Sequence, residues 1–126
     1  MRFDTNVPIW TRRGHPKAAR LLDRTPVRSC SVQTYLELLH GAKDKQQQRI
    51  TQAFLAECGF TILPLAERIG HRAMVYIEEY APATGLRAGD AIVVATAIEH
   101  ALTLVSAHAK HLKAIRDLRL KVFLPD

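Results

Sequence analysis

Residues 90–105 read DAIVVATAIEHALTLV. Asp90 leads Ala91 to Ile98, a run in which only Thr96 is not nonpolar. A helix apolar on every side belongs in the middle of a protein, because a surface helix carries charge on one face. Leu102 to Val105 then reads as a short apolar strand. A buried helix feeding a buried strand is the unit of a parallel sheet covered on both faces.

Working outward toward the amino end, a loop at Gly85 to Gly89 precedes this unit, and a long helix from about Ala66 to Tyr80 stops near Ala81-Pro82. Phe60 to Leu63 predicts a strand. Asp44 suits the cap of a helix running to about Glu57. Ser31 suits the cap of another, in which Val32, Tyr35, Leu36 and Leu39 form an i, i+3, i+4, i+7 stripe before Gly41 ends it. Val27 to Cys30 predicts a strand, and His15 to Asp23 a helix. Met1-Arg2-Phe3 predicts a very short strand that delivers Asp4 to its carboxyl end. Only three residues precede Asp4 to build what is expected to be a central strand. On the carboxyl side, a basic helix is expected around Lys110 to Ile115 and a closing strand near Lys121 to Phe123.

Strands alternating with helices predict an α/β fold, a three-layer α/β/α sandwich around a central parallel sheet with right-handed crossovers. The 126 residues suit a single domain spanning 1–126, with no repeat or linker to divide it. A chain this long buries about two-thirds of the surface its unfolded form exposes, so neither a metal clip nor a disulfide framework is needed to fold it. Two cysteines, Cys30 and Cys58, suit reduced thiols. No apolar run reaches the length of a membrane span, and the charged first ten residues do not read as a secretory leader, so a cytoplasmic location is expected. Eighteen lysines and arginines against twelve acids give a net charge of +6, which favours polyanion partners without naming one.

In open parallel sheets the functional crevice lies beyond the carboxyl ends of the strands. Asp4 and Ser106 fit that position, and Asp90 opens the buried helix, where free amides and the positive dipole end favour an anion. Glu37 lies off the apolar stripe of its helix. Each has a plainer explanation: an Asx turn or cap for Asp4, a cap for Asp90, a solvated surface for Glu37. Three carboxylates near one sheet edge would repel one another unless a hard divalent cation compensated them. Periodicity by itself does not show that the three converge.

Taken together, Asp4-Thr5-Asn6-Val7, Ser31 through Glu37-Leu38 to Gly41, Gly85-Leu86, Asp90-Ala91-Ile92, Ala95-Thr96-Ala97 and Lys110-His111 resemble the PIN-domain nucleases, and within them the VapC-type toxins of toxin and antitoxin pairs. The resemblance spans nearly the whole chain. It implies an endoribonuclease dependent on Mg²⁺ or Mn²⁺, in which Asp4, Glu37 and Asp90 match the metal-holding acids and Asn6 a residue beside them. It further implies hydrolysis of RNA phosphodiesters, a cognate antitoxin that blocks the acidic pocket, and a homodimer. Arg12, Arg13 and Lys110 are candidate contacts to RNA or antitoxin, as is Trp10, which equally suits packing. His15, His40, His71 and His100 form no spaced metal motif.

One position departs from the family pattern. After the last apolar strand the family shows Thr-x-Asn or Thr-x-Asp, whereas this chain has Ser106-Ala107-His108. Histidine at the fourth acidic position removes a hard oxygen ligand. The alternative reading is therefore a catalytically weakened PIN fold that binds RNA or antitoxin. A third, a phosphate-binding module with Asp4 as nucleophile, would want a second acid in an Asp-x-Asp arrangement, which Thr5-Asn6 does not supply.

Overall fold

The structure is a computed structural model that describes residues 2–3, 16–25, 27–107 and 109–123. In chain order these form β1 (Arg2–Phe3), α1 (Pro16–Asp23), β2 (Arg28–Ser31), α2 (Val32–His40), α3 (Lys45–Glu57), β3 (Phe60–Leu63), α4 (Glu67–Thr84), α5 (Ala88–Glu99), β4 (Leu104–Ser106) and β5 (Leu120–Val122). The strands make one sheet in the order β3-β2-β1-β4-β5, parallel at every pairing. The two-residue β1 holds the centre, with Phe3 opposite Val105. The expected α/β sandwich is thus the observed one.

Leu104 and Val105 are neighbours on one strand and so point to opposite faces of the sheet. Leu104 joins a core built from α4 and α5, which includes Ile69, Ala73, Tyr76 and the α5 residues Ala91 and Val93 to Ala95. Val105 joins a smaller cluster with Ala18 and Leu22 of α1 and Phe123, against which Phe54 of α3 packs. One strand can be buried along its whole length because both of its faces are covered. Val94, Ala95 and Ala97 have no exposed surface, as the apolar run of α5 requires.

Ser31 and Asp44 cap α2 and α3 as their sequence positions predict, accepting hydrogen bonds from the Thr34 and Gln47 amides at 3.0 and 2.9 Å. Arg28, the first residue of β2, ties three segments together. Its guanidinium donates to the Leu22 carbonyl (2.6 and 3.1 Å), the Thr25 carbonyl (2.9 Å) and the Cys58 carbonyl (2.7 Å). The carboxyl end of α1 is thereby fixed beside the starts of β2 and β3. Cys30 and Cys58 are both free, and burial pushes the Cys58 thiol above its ordinary value against the opposing pull of Arg28. No helix among the described residues is long and apolar enough to cross a membrane.

Several boundaries differ from the sequence expectation. Helix α4 runs through Pro82 to Thr84 rather than stopping before the proline. The last turn is closed by Thr84 Oγ1, which donates to the Tyr80 carbonyl, and by the Gly85 amide, at φ 75°, which donates to that of Ala81. Packing of Ile77, Tyr80 and Ala81 onto the core holds the last turn in place. Strand β4 begins at Leu104 rather than Leu102. The Leu102 amide instead donates to the Ala97 carbonyl at 2.9 Å and closes α5 through Ala101 at φ 53°. The basic helix expected around Lys110 to Ile115 is a run of turns, with amides reaching mostly back three residues. Ala109, Leu112 and Ile115 are buried there, and a segment of this length gains its order from those anchors rather than from helix propagation.

Candidate metal centre

Strand order reverses at β1, since the chain moves outward to β2 and β3 and returns to place β4 and β5 on the other side. The carboxyl ends of β1 and β4 therefore flank the crevice where such sheets bind ligands. Ser106 is the final residue of β4, fully buried, with its carbonyl accepting from the Phe123 amide at 2.9 Å. Phe3 pairs with Val105, one residue before it.

Glu37 and Asp90 come from elements distant in sequence, and Glu37 lies against Gly89, the residue before Asp90. Glu37 lies on α2, which leaves β2 directly through the Ser31 cap. Gln33, one turn earlier, donates from Nε2 to Glu37 Oε1 at 3.1 Å. Both side chains lie against the first turn of α5, where a Cβ at Gly89 would stand 2.9 Å from Glu37 Oε1 and 3.1 Å from Gln33 Nε2. Asp90 is the next residue. Glycine at 89 is thus what lets the Glu37 carboxylate approach the amino end of the buried helix, whose dipole favours an anion.

Asp90 does not cap α5. The helix starts at Ala88 with Arg87 at its cap position and no side-chain cap bond, so Asp90 is third in the helix rather than its opening residue. Its carboxylate is half-buried and has no hydrogen-bond or ion-pair partner among the described residues. Glu37 is exposed yet held. Carboxylate oxygens of this kind are the donors that a hard divalent cation takes. Among the described residues no cluster of three or more metal-ligating side chains is assembled. Asp4, Asn6, Trp10, Arg12, Arg13 and His108, all nominated from the sequence, lie outside the described residues.

Lys110 is exposed on the turn after β4, but its neighbour His111 has a structural occupation. His111 Nδ1 stands 2.7 Å from the Thr84 carbonyl, an acceptor, so the ring donates from Nδ1. The segment after β4 is thereby pinned to the loop that introduces α5. Gln33 and Gly89 were not singled out by sequence reasoning. The signal available was a glutamine one turn before Glu37 and a glycine immediately before Asp90.

The PIN-domain family profile matches residues 1–118. This chain belongs to the PIN-domain family. Such domains are in general nucleases that use divalent metals. A chain of a toxin–antitoxin complex from Klebsiella pneumoniae is 30% identical, with a TM-score of 0.79 over 99% of this chain and 97% of that one. A chain of VapBC2 from Rickettsia felis, solved with a DNA fragment of its promoter, shares the fold at a TM-score of 0.82 and 19% identity, covering 98% of each chain. A chain of the DNA-bound VapBC from Salmonella typhimurium does so at 0.81 and 17%, covering 96% of each. The VapC-type resemblance read from the sequence is borne out. No curated protein matches the chain.

The Gly89 contact makes a separable prediction for this PIN domain. Alanine has the better helix propensity by about 1 kcal/mol, and the atoms in its way are ends of flexible side chains. If Glu37 holds a divalent cation, Gly89→Ala is expected to leave the melting temperature level or slightly higher while weakening Mn²⁺ binding roughly tenfold by displacing Glu37. Calorimetric titration with Mn²⁺ beside a thermal melt checks it. Unchanged metal affinity would show that Glu37 need not lie against residue 89.

Proposed function

We propose that this PIN domain is a VapC-type toxin, an endoribonuclease that hydrolyses RNA phosphodiester bonds with a divalent cation, Mg²⁺ or Mn²⁺, held by Asp4, Glu37 and Asp90. The observation that carries the reading is the Glu37 carboxylate seated over Gly89, the residue before Asp90, whose own carboxylate has no partner among the described residues. When bound, such a cation would make a water more acidic and offset charge that builds on the phosphate. Gln33 fixes the direction of the Glu37 carboxylate, and α5 adds a positive dipole end at the same place. Asn6, Ser106 and His108 are assigned supporting positions around the phosphodiester, and Arg12, Arg13 and Lys110 contacts to RNA or antitoxin.

The partner that restrains the activity is a cognate antitoxin, in keeping with the complexes in which the similar structures were solved. The working unit is a homodimer in the cytoplasm. The test is cleavage of structured RNAs by purified protein with Mg²⁺, Mn²⁺ or chelator, run beside His108→Asp. Cutting that needs the metal supports the nuclease. Silence with either metal, relieved by His108→Asp, would replace it with a PIN fold retained for binding.

A further inference from the structure

Helix α1 carries a basic stripe that the proposed chemistry does not use. Lys17, Arg20 and Arg24 stand at i, i+3 and i+7, on one face of the helix, while Ala18 and Leu22 on another are buried against Val105 and Phe123. That face forms one bank of a groove of about 310 Å³. Lys121 of the edge strand β5 lines it as well, with Leu21, Val122 and Phe123. Among the described residues no acidic side chain lines it. Arg20, Arg24 and Lys121 are exposed, and their side chains have no ion-pair partner among the described residues.

The direction of the groove follows from the fold. The carboxyl end of α1 is tied by Arg28 to the starts of β2 and β3, so the amino end of α1 lies toward the carboxyl edge of the sheet. Lys121 and Val122 pair with Val105 and Ser106 of β4, and β4 lies next to β1. Two strand spacings, about 10 Å, separate the two strands. The stripe thus leads along the sheet face toward the edge that carries Glu37 and Asp90. A line of cations on two elements with an apolar floor is complementary to a phosphodiester chain and offers nothing to a cation or a neutral sugar.

We propose that this groove binds the backbone of a single-stranded RNA and guides it to the carboxylate edge. The assignment of RNA rests on the nuclease reading above, whereas the anion-binding groove itself does not. Binding of a fluorescein-labelled oligouridylate is followed by anisotropy over a salt series with chelator present, so that no cleavage intervenes. The triple variant Arg20→Gln, Arg24→Gln, Lys121→Gln is expected to lose roughly tenfold or more in affinity at low salt. Its plot of log affinity against log salt is expected to flatten by about 2, since each single-strand phosphate contact contributes about 0.7. Lys121→Glu alone, an exposed substitution on the edge strand, is expected to act in the same direction. Circular dichroism melts establish that each variant is folded.

Equal affinity and slope in wild type and variants would overturn the groove, as would a wild type that does not bind the oligomer. Tighter binding of polyglutamate or duplex DNA than of the oligouridylate would overturn RNA as the occupant. Cleavage with Mn²⁺ is scored separately. Wild-type protein that binds through these residues and never cuts refutes the nuclease and leaves the groove, while protein that cuts with an unaltered slope in the variants refutes the groove alone.

Discussion

Asp90→Asn is expected to lower metal-dependent RNA cleavage by about 10²–10³-fold while the protein melts within a degree or two of wild type. The substitution keeps the shape of the side chain and removes one negative charge from a pair of oxygen donors. On the proposed reading, a bound cation would lose an anionic ligand and the phosphodiester the charge compensation that depends on it, an effect of several kcal/mol at about 1.4 kcal/mol per decade of rate. Stability is spared because the Asp90 carboxylate makes no cap bond at the start of α5 and no ion pair among the described residues. Single-turnover cleavage beside a thermal melt reads both quantities. An Asp90→Asn protein that cuts at the wild-type rate would remove Asp90 from the site, whereas one that is inactive and melts far lower would make it a structural residue.

The largest effect on stability is expected from Arg28→Ala. The guanidinium of Arg28 donates to carbonyls at the end of α1, in the turn that follows and just before β3, of which that of Leu22 also accepts from the Thr25 amide. Bonds to a charged donor contribute about 1.5–3 kcal/mol each when measured singly, and bonds sharing one side chain do not add. A total of roughly 3–4 kcal/mol, or about 10–15 °C in melting temperature, is the expected loss. Arg28→Lys is expected to recover less than half of it, because one ammonium cannot span three carbonyl sites that a planar fork reaches together. Urea unfolding of the three proteins checks the order. A loss below about 1 kcal/mol in the alanine variant would mean that water replaces the guanidinium without cost.

These two residues differ in how openly the sequence displayed them. Asp90 lies in the first turn of the most apolar helix of the chain, and its position before Ala91 to Ile98 marks it as a charge set at the rim of the core. Periodicity showed Glu37 only as a residue off an apolar stripe, and the family resemblance alone marked it; its approach to the start of α5 depends on Gly89 and Gln33, whose roles arise from the packing of α2 on α5. Arg28 carried no signal at all. Its partners are Leu22, Thr25 and Cys58, and the last is brought to it only by the pairing of β2 with β3.

The sequence by itself determined the parts that depend on local periodicity and on the burial of apolar runs. Those were the alternation of strands and helices, the parallel sheet covered on both faces, the caps at Ser31 and Asp44, and the central place of α5. Each follows from short-range sterics or from the mean apolarity of a segment, which are written along the chain. The tertiary structure decided where elements end and which side chains meet. Helix α4 passes Pro82 because its last turn packs on the core, β4 starts late because α5 claims the Leu102 amide, and Lys110 to Ile115 is held as turns by three buried anchors. The Glu37–Gly89 approach and the groove between α1 and β5 join residues far apart in sequence, and only the register of the sheet and the docking of helices upon it bring such residues together.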